Sequence, residues 1–253
     1  MADQAKPVNA NEAEISPDLV KIRKIASRFF IGFLWVYVAI VGFIDQITDN
    51  TLGLATGLSV TFAAVATFFF WRNDIAAVTR YAIAACLTGQ WALGVYVASG
   101  LPDGFVLDAH MMFFVLNAQL VAYFCWRSVL IVNAIATVHH VIFAWMFPAL
   151  IWPTNDYSLY HFLIHGGYVV LVGVPVIWLA WRLFHLFNHS HNAIIGLQTA
   201  REKIVAEQQA REERKKHWEQ AAKQGMEDLV KSFKEEFGAI VQAVGTASAQ
   251  LQN

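Results

Sequence analysis

The stretch Leu159–Trp181, LYHFLIHGGYVVLVGVPVIWLAW, decides the fold. It holds no Asp, Glu, Lys or Arg, and a helix needs about 20 such residues to cross a hydrocarbon core roughly 30 Å thick. Two features separate it from an ordinary span. It carries His161 and His165, and beyond Arg182 the chain turns polar without a single proline. The same helix is therefore expected to cross the bilayer and run on outside it.

Five more apolar blocks precede it, at Ala26–Asp45, Thr51–Trp71, Val78–Ser99, Asp108–Trp126 and Ser128–Pro148. With 57% hydrophobic residues, nine tryptophans and only 15% charged residues, the composition excludes an ordinary soluble domain. The expectation is an all-α protein, a six-transmembrane helical bundle continuing into a long cytoplasmic coiled-coil helix. Orientation follows from the basic residues, which favour cytoplasmic loops. Lys21, Arg23, Lys24 and Arg28 precede the first span, Arg72 and Arg80 flank the second connection, Arg127 marks the fourth, and Arg182 follows the last span. The alternate connections, around Asp45–Asn50, Gly100–Asp108 and Ile151–Ser158, have no Lys or Arg. Both termini are thus expected in the cytoplasm, in a multi-pass protein of a bacterial inner membrane.

The division expected is a cytoplasmic N-terminal tail at 1–25, a six-helix membrane sensor domain at 26–184 and a cytoplasmic signalling helix at 185–253. The opening Met1–Asp18 is polar, and the first apolar run is too long for a cleaved signal peptide. Cys86 and Cys125 lie in or at the end of spans, which argues against a structural disulfide. The net charge of −1 decides nothing about partners, and no nucleic acid is expected beside the lipid bilayer.

Histidines supply the functional signal, because ionisable groups are expensive in hydrocarbon and mark sites there. At about 1.5 Å per helical residue, His110 lies about 26 Å from Arg127, His165 about 26 Å from Arg182, and His139 and His140 about 18–20 Å from Arg127. All fall in the outer third of the bilayer, with His161 one turn further out. Helical spacing adds faces: His110, Phe114 and Asn117 share one side, as do Asn133, Thr137 and His140, and His161, His165 and Tyr168. His139 shares its face with Ile135, Ile142 and Met146, so His140 is the favoured inward member of the pair. A lone membrane histidine is often a hydrogen-bonding tie worth about 0.6–2 kcal/mol. Three helices supplying imidazoles at one depth ask for a cofactor instead.

His110, His140, His165 and His139 are accordingly the candidate ligands, supported by Asn117, Asn133, Thr137, Tyr168 and His161. Imidazole suits copper, zinc or iron, and Met111 and Met112 beside His110 add thioethers that suit copper. The leading reading is a transition metal, copper first and zinc next. Haem b follows closely, since facing histidines would ligate its iron and Gly166–Gly167 would let a flat macrocycle approach.

Near the C-terminus, Met226, Val230, Phe233, Phe237, Ile240, Val244, Ala247 and Leu251 alternate four- and three-residue steps. That is an a/d seam, and no soluble core exists for it to cover. A homodimeric coiled coil is expected. Glu207–Arg211 and Glu212–Lys216 add the i, i+4 pairs of an exposed helix.

At these residues the chain resembles two things. LVKSFKEEFGAIVQAVGTASAQL at Leu229–Leu251 resembles the opening of the cytoplasmic signalling bundle of methyl-accepting chemotaxis proteins. DAHMMFF, YFCWRSVL, VHH and HGGYVV resemble a six-helix sensor module found ahead of such bundles and of diguanylate cyclase domains. The resemblance covers most of Phe29–Asn253 and marks His110, His139, His140 and His165. Met112 stands where that pattern would have a second histidine, which leans towards copper. It also implies a chemotaxis histidine kinase and its coupling protein as partners, should the chain be the N-terminal part of a longer transducer.

The resulting expectation is a sensor, not an enzyme: a metal, redox or gas signal at the histidine site shifts helix six and is relayed to the coiled coil. Two rivals use the same residues. A haem- or metal-dependent electron-transfer enzyme would leave the heptad tail unexplained. A metal transporter would need a polar path, whereas below the histidines only Asn117, Asn133 and Thr137 offer one.

Overall fold

The structure, a computed structural model, describes residues 16–48, 53–102, 104–146 and 159–250. They are helical without strands, and six helices among them are long and apolar enough to cross a membrane. These are α1 (Pro17–Thr48), α2 (Leu54–Arg72), α3 (Ala77–Ala98), α4 (Phe105–Leu120), α5 (Trp126–Met146) and α6 (Leu159–Gln250). The chain divides into two units, at His191 and Asn192.

Two ends differ from the sequence expectation for local reasons. α1 starts at Pro17, not Ala26, because Ser16 Oγ accepts a hydrogen bond from the Leu19 N–H at 3.4 Å and Pro17 occupies the first helical position, a helix start independent of hydropathy. α4 stops at Leu120, short of Trp126, and a 3-10 turn at Val121–Tyr123 leads into Phe124 at φ 48. Arg23 stabilises that turn. Its Nε donates to the Tyr123 carbonyl at 2.9 Å and its Nη2 to the Phe124 carbonyl at 3.2 Å. A residue expected to flank the membrane thus lies buried, with its charge directed at orphan helix-end carbonyls.

α3 is the hub, meeting α1, α2, α4 and α5. Ile83, Ala84, Leu87 and Trp91 are all buried in the main core. Small residues let neighbours close in: a Cβ at Gly89 would stand 2.7 Å from the Phe62 ring, and one at Gly94 would strike the Tyr37 hydroxyl. Polar locks span the same layer. Ser59 Oγ–H donates to Gln90 Oε1 at 2.6 Å while Gln90 Nε2 donates to the Ser59 carbonyl at 2.9 Å, and Asp45 accepts from both the N–H and the hydroxyl of Thr56 at the start of α2. Every polar group in these pairs answers another, as hydrocarbon requires.

α6 is held differently. Ala180 is its buried core residue, and Val169, Val176 and Ile177 pack partly. At Gly173 it comes close to α5, where a Cβ would sit 2.5 Å from Asn133 Oδ1. Two residues on, Pro175 lies inside the helix and lacks the N–H that would bond the carbonyl four residues back. Near Arg182, Arg23 stands over the Phe184 ring at 5.6 Å and Phe124 meets Phe187 at 5.7 Å. In the second unit, Met226, Val230, Phe233, Phe237, Ile240 and Val244 are all exposed, with Phe233 and Phe237 stacked at 5.8 Å. Ala247 is exposed as well, and Leu251 lies outside the described residues.

Candidate metal centre

Three of the expected ligands meet. His110 from α4, His140 from α5 and His165 from α6 each present a ring nitrogen, and the three nitrogens lie within 4.8 Å of one another. Local geometry orients two of the rings. His110 Nδ1 is 2.9 Å from the Val106 carbonyl and His140 Nδ1 is 2.7 Å from the Ala136 carbonyl. A carbonyl only accepts, so both Nδ1 atoms carry the proton and both Nε2 atoms present a lone pair, that of His140 accepting from His165 Nε2. Fixing the ring this way is the usual support of a metal-ligating histidine.

Distance gives the fit. His165 Nε2 stands 3.2 Å from His140 Nε2. Zn–N bonds of about 2.0–2.1 Å at tetrahedral angles place ligand nitrogens about 3.3–3.4 Å apart. The pair is thus spaced to share one ion, and the third imidazole closes on it with a small adjustment. Iron in a bis-imidazole haem would hold its two nitrogens on opposite faces, about 4 Å apart if its bonds match the roughly 2.0 Å of other metal–imidazole bonds, with the macrocycle between them. Three converging rings leave no plane for it, so the donor set fits an ion better than haem.

His139 lies outside the triad. Its ring stacks on Phe143 at 4.5 Å, on the other side of α5's polar stripe, as a 100° step along a helix dictates. Met112 packs against both apolar clusters, beside Tyr37, Val41 and Val97. Met111 is the thioether that shares a cavity wall with His110 and His165. Asn117 and Asn133 form a lock between α4 and α5: Asn133 Nδ2 donates to Asn117 Oδ1 at 2.7 Å, and the two amides also donate to the Val129 and Phe113 carbonyls. Thr137 donates to the Asn133 carbonyl. These three reach one another and their own helices. Tyr168 lines the cavity with His165, and the side chain of His161 lies outside the described residues.

Sequence reading missed Trp91 of α3. Its ring stacks on His140 at 6.0 Å and 25°, stands edge-on to His110 at 6.0 Å, and lies 6.5 Å from His139. Trp91, His110 and His140 form the common wall of two apolar cavities. One, about 500 Å³, lies towards α2 and includes His139; the other, about 770 Å³, lies towards α6 and includes His165. Nothing about a tryptophan in an apolar helix announces this; it follows from α3 being the hub.

Comparison with protein-family models, with curated proteins and with solved structures gives no match.

Proposed function

We propose that this chain is a sensor of chemoreceptor type in a bacterial inner membrane, with both termini cytoplasmic. A transition-metal ion held by His110, His140 and His165 ties α6 to α4 and α5, and the state of that tie is relayed along α6 to a homodimeric coiled coil. One observation carries the reading: the third ligand stands on the helix that also bears the heptad seam. Zinc and copper both suit three imidazoles; with Met112 turned away, Met111 is the thioether left in a cavity wall with His110 and His165. The ion's charge supplies the attraction that draws three neutral rings together; no catalytic step is involved.

The relay rests on how α6 is held. His165 is bound at one end, Gly173 lies against Asn133 midway, and Phe184 and Phe187 rest on Arg23 and Phe124. Pro175, with its missing hydrogen bond, is the natural pivot. Closing the triad moves the outer segment about that pivot and changes the seat of Phe184. Ion binding shifts the equilibrium only through its different affinity for the two arrangements, and a swing from 1:99 to 99:1 needs about a 10⁴-fold difference. Output follows from the exposed seam, which a second copy would cover; a longer chain would present a chemotaxis kinase and its coupling protein with their docking tip. A transporter is disfavoured, because beyond the triad the amide nitrogens of Asn117 and Asn133 are committed to helix carbonyls and to Asn117 Oδ1, and Asn133 Oδ1 is buried.

Metal analysis of purified protein tests this reading. Wild type is expected to hold about one zinc or copper ion per chain, as a three-histidine site implies, and to show no Soret band. His110→Ala, His140→Ala and His165→Ala should each weaken binding by more than the roughly 10–100-fold that loss of a supporting outer group costs, while His139→Ala keeps its ion. Full occupancy in all three variants, or a haem spectrum, would overturn it.

A further inference from the structure

The triad leaves its ion one position short. Three imidazoles are three of the four ligands of a tetrahedral site, and an open fourth place takes water or an incoming ligand. All three histidines stand in the wall of the 770 Å³ cavity, whereas the smaller cavity includes His110 and His140 without His165. His110 Nε2 makes no hydrogen bond among the described residues and is not one of their fully enclosed unpartnered atoms, so its lone pair has open space before it. The volume is within the roughly 300–1,000 Å³ of small-molecule sites, and Leu107, Met111 and Tyr168 in its wall are exposed.

Charge narrows what enters. Imidazoles ligate in their neutral form, so a divalent ion keeps both of its charges, and unpaired charge is expensive in hydrocarbon. Among the described residues no Asp, Glu, Lys or Arg lines the larger cavity, and no carboxylate or cysteine joins the histidine group. Asp108, two residues before His110, belongs to neither. Resting on the reading that the triad holds a divalent ion, we propose that its fourth ligand is a small monoanion received in the larger cavity. Hydroxide, formed when a bound water releases its proton to the medium, is one source; an anion from outside that displaces it is the other. Either halves the charge left in the bilayer. Val106 and Leu107 of α4 and Tyr168 and Val169 of α6 all wall this cavity, so the fourth position is also where a stimulus reaches the helix that carries the heptad seam.

Cobalt(II), put in place of the native ion in the full chain in detergent, reports its ligands by visible absorption. Azide should change the spectrum saturably, entering as water or hydroxide leaves. Raising the pH without azide should change it with the loss of one proton, near the value of about 7 that a three-histidine zinc site gives its water. Above that pH hydroxide competes, and apparent azide affinity should fall about tenfold per pH unit. A response to pH alone makes hydroxide the ligand; a response to azide as well shows that an external anion enters. A spectrum that ignores both, in protein shown by metal analysis to be loaded, would overturn the proposal and leave the triad standing, whereas protein that takes up no cobalt would overturn both. Leu107→Trp, which narrows the larger cavity, should weaken azide about tenfold as an overpacking cost with cobalt retained, and Leu58→Trp, at the smaller cavity, should not; the reverse pattern would overturn the choice of cavity. Asp103 and Asp156 lie outside the described residues. Asp103→Asn and Asp156→Asn should leave both titrations as in wild type. An azide response that appears only in one of these variants would mean that the chain's own carboxylate fills the position, and the proposal would fall.

Discussion

α3 and the membrane part of α6 both contribute to the same centre, yet they are built in opposite ways. Over half of α3's most apolar window, 56%, is buried, against 6% of the corresponding window of α6. α3 packs on four helices through closely fitted rings and glycines, whereas α6 touches the rest through a histidine, a glycine, two aromatic seats and a short apolar strip in which Ala180 is buried and Val169, Val176 and Ile177 are partly so. On the proposed function, the contrast separates a scaffold from a reporter. A helix fastened by many contacts fixes a ligand cluster, while one fastened by few is free to answer what happens there.

The first way to break this contrast is to damage each helix equally. Leu87→Ala in α3, where the side chain is 1% exposed, should cost about 2–5 kcal/mol of stability. Leu171→Ala in α6, 69% exposed, should fall within about 0.5 kcal/mol. Thermal unfolding of the two variants followed by circular dichroism checks this, and similar losses in both would remove the distinction.

The seam is a second test, because it asks whether the reporter helix ends in a partner. Phe237→Asp with Ile240→Asp places charges where removal from water is costly unless they are paired. Cysteine cross-links at Val244→Cys should form in the parent and fall at least tenfold in the double variant, if each buried charge costs more than about 1.4 kcal/mol. Undiminished cross-linking would sink the coiled coil.

Gly173 offers a finer probe. A methyl there meets Asn133, whose amide is held by two hydrogen bonds and cannot easily retreat. Gly173→Ala should therefore cost about 1–3 kcal/mol as overpacking, and weaken metal binding by moving His165 away. Pairing it with Asn133→Ala should restore metal affinity by opening the space; the absence of any rescue would show that α6 is not seated there.

Much of this could be read in the residues. The bilayer forces apolar runs of fixed length, so the six spans and the long final helix are plain in the sequence. The 100° helical step likewise separates His140 from His139. The same step sets Met112 about 200° from His110, which shows that its place in the chain, not its face, made it look like a ligand. Other features depend on which helix lies at the centre. Trp91 earns its role only because α3 does, and Arg23 is buried only because Phe124 turns into the left-handed region and leaves carbonyls to be capped. The start of α1 at Ser16–Pro17–Asp18 was written in capping chemistry that hydropathy does not weigh.

The central claim, that an ion fastens α6 to the scaffold, is tested most directly by a distance across the triad. Spin labels at Val138→Cys on α5 and Leu163→Cys on α6, both exposed positions, in protein with Cys86→Ala and Cys125→Ser, would be measured by pulsed electron resonance with zinc and with chelator. The account predicts that zinc shortens and narrows the distance distribution in this background and leaves it unchanged once His165→Ala is added. One and the same distribution with zinc and with chelator, in protein shown to hold the ion, would contradict it.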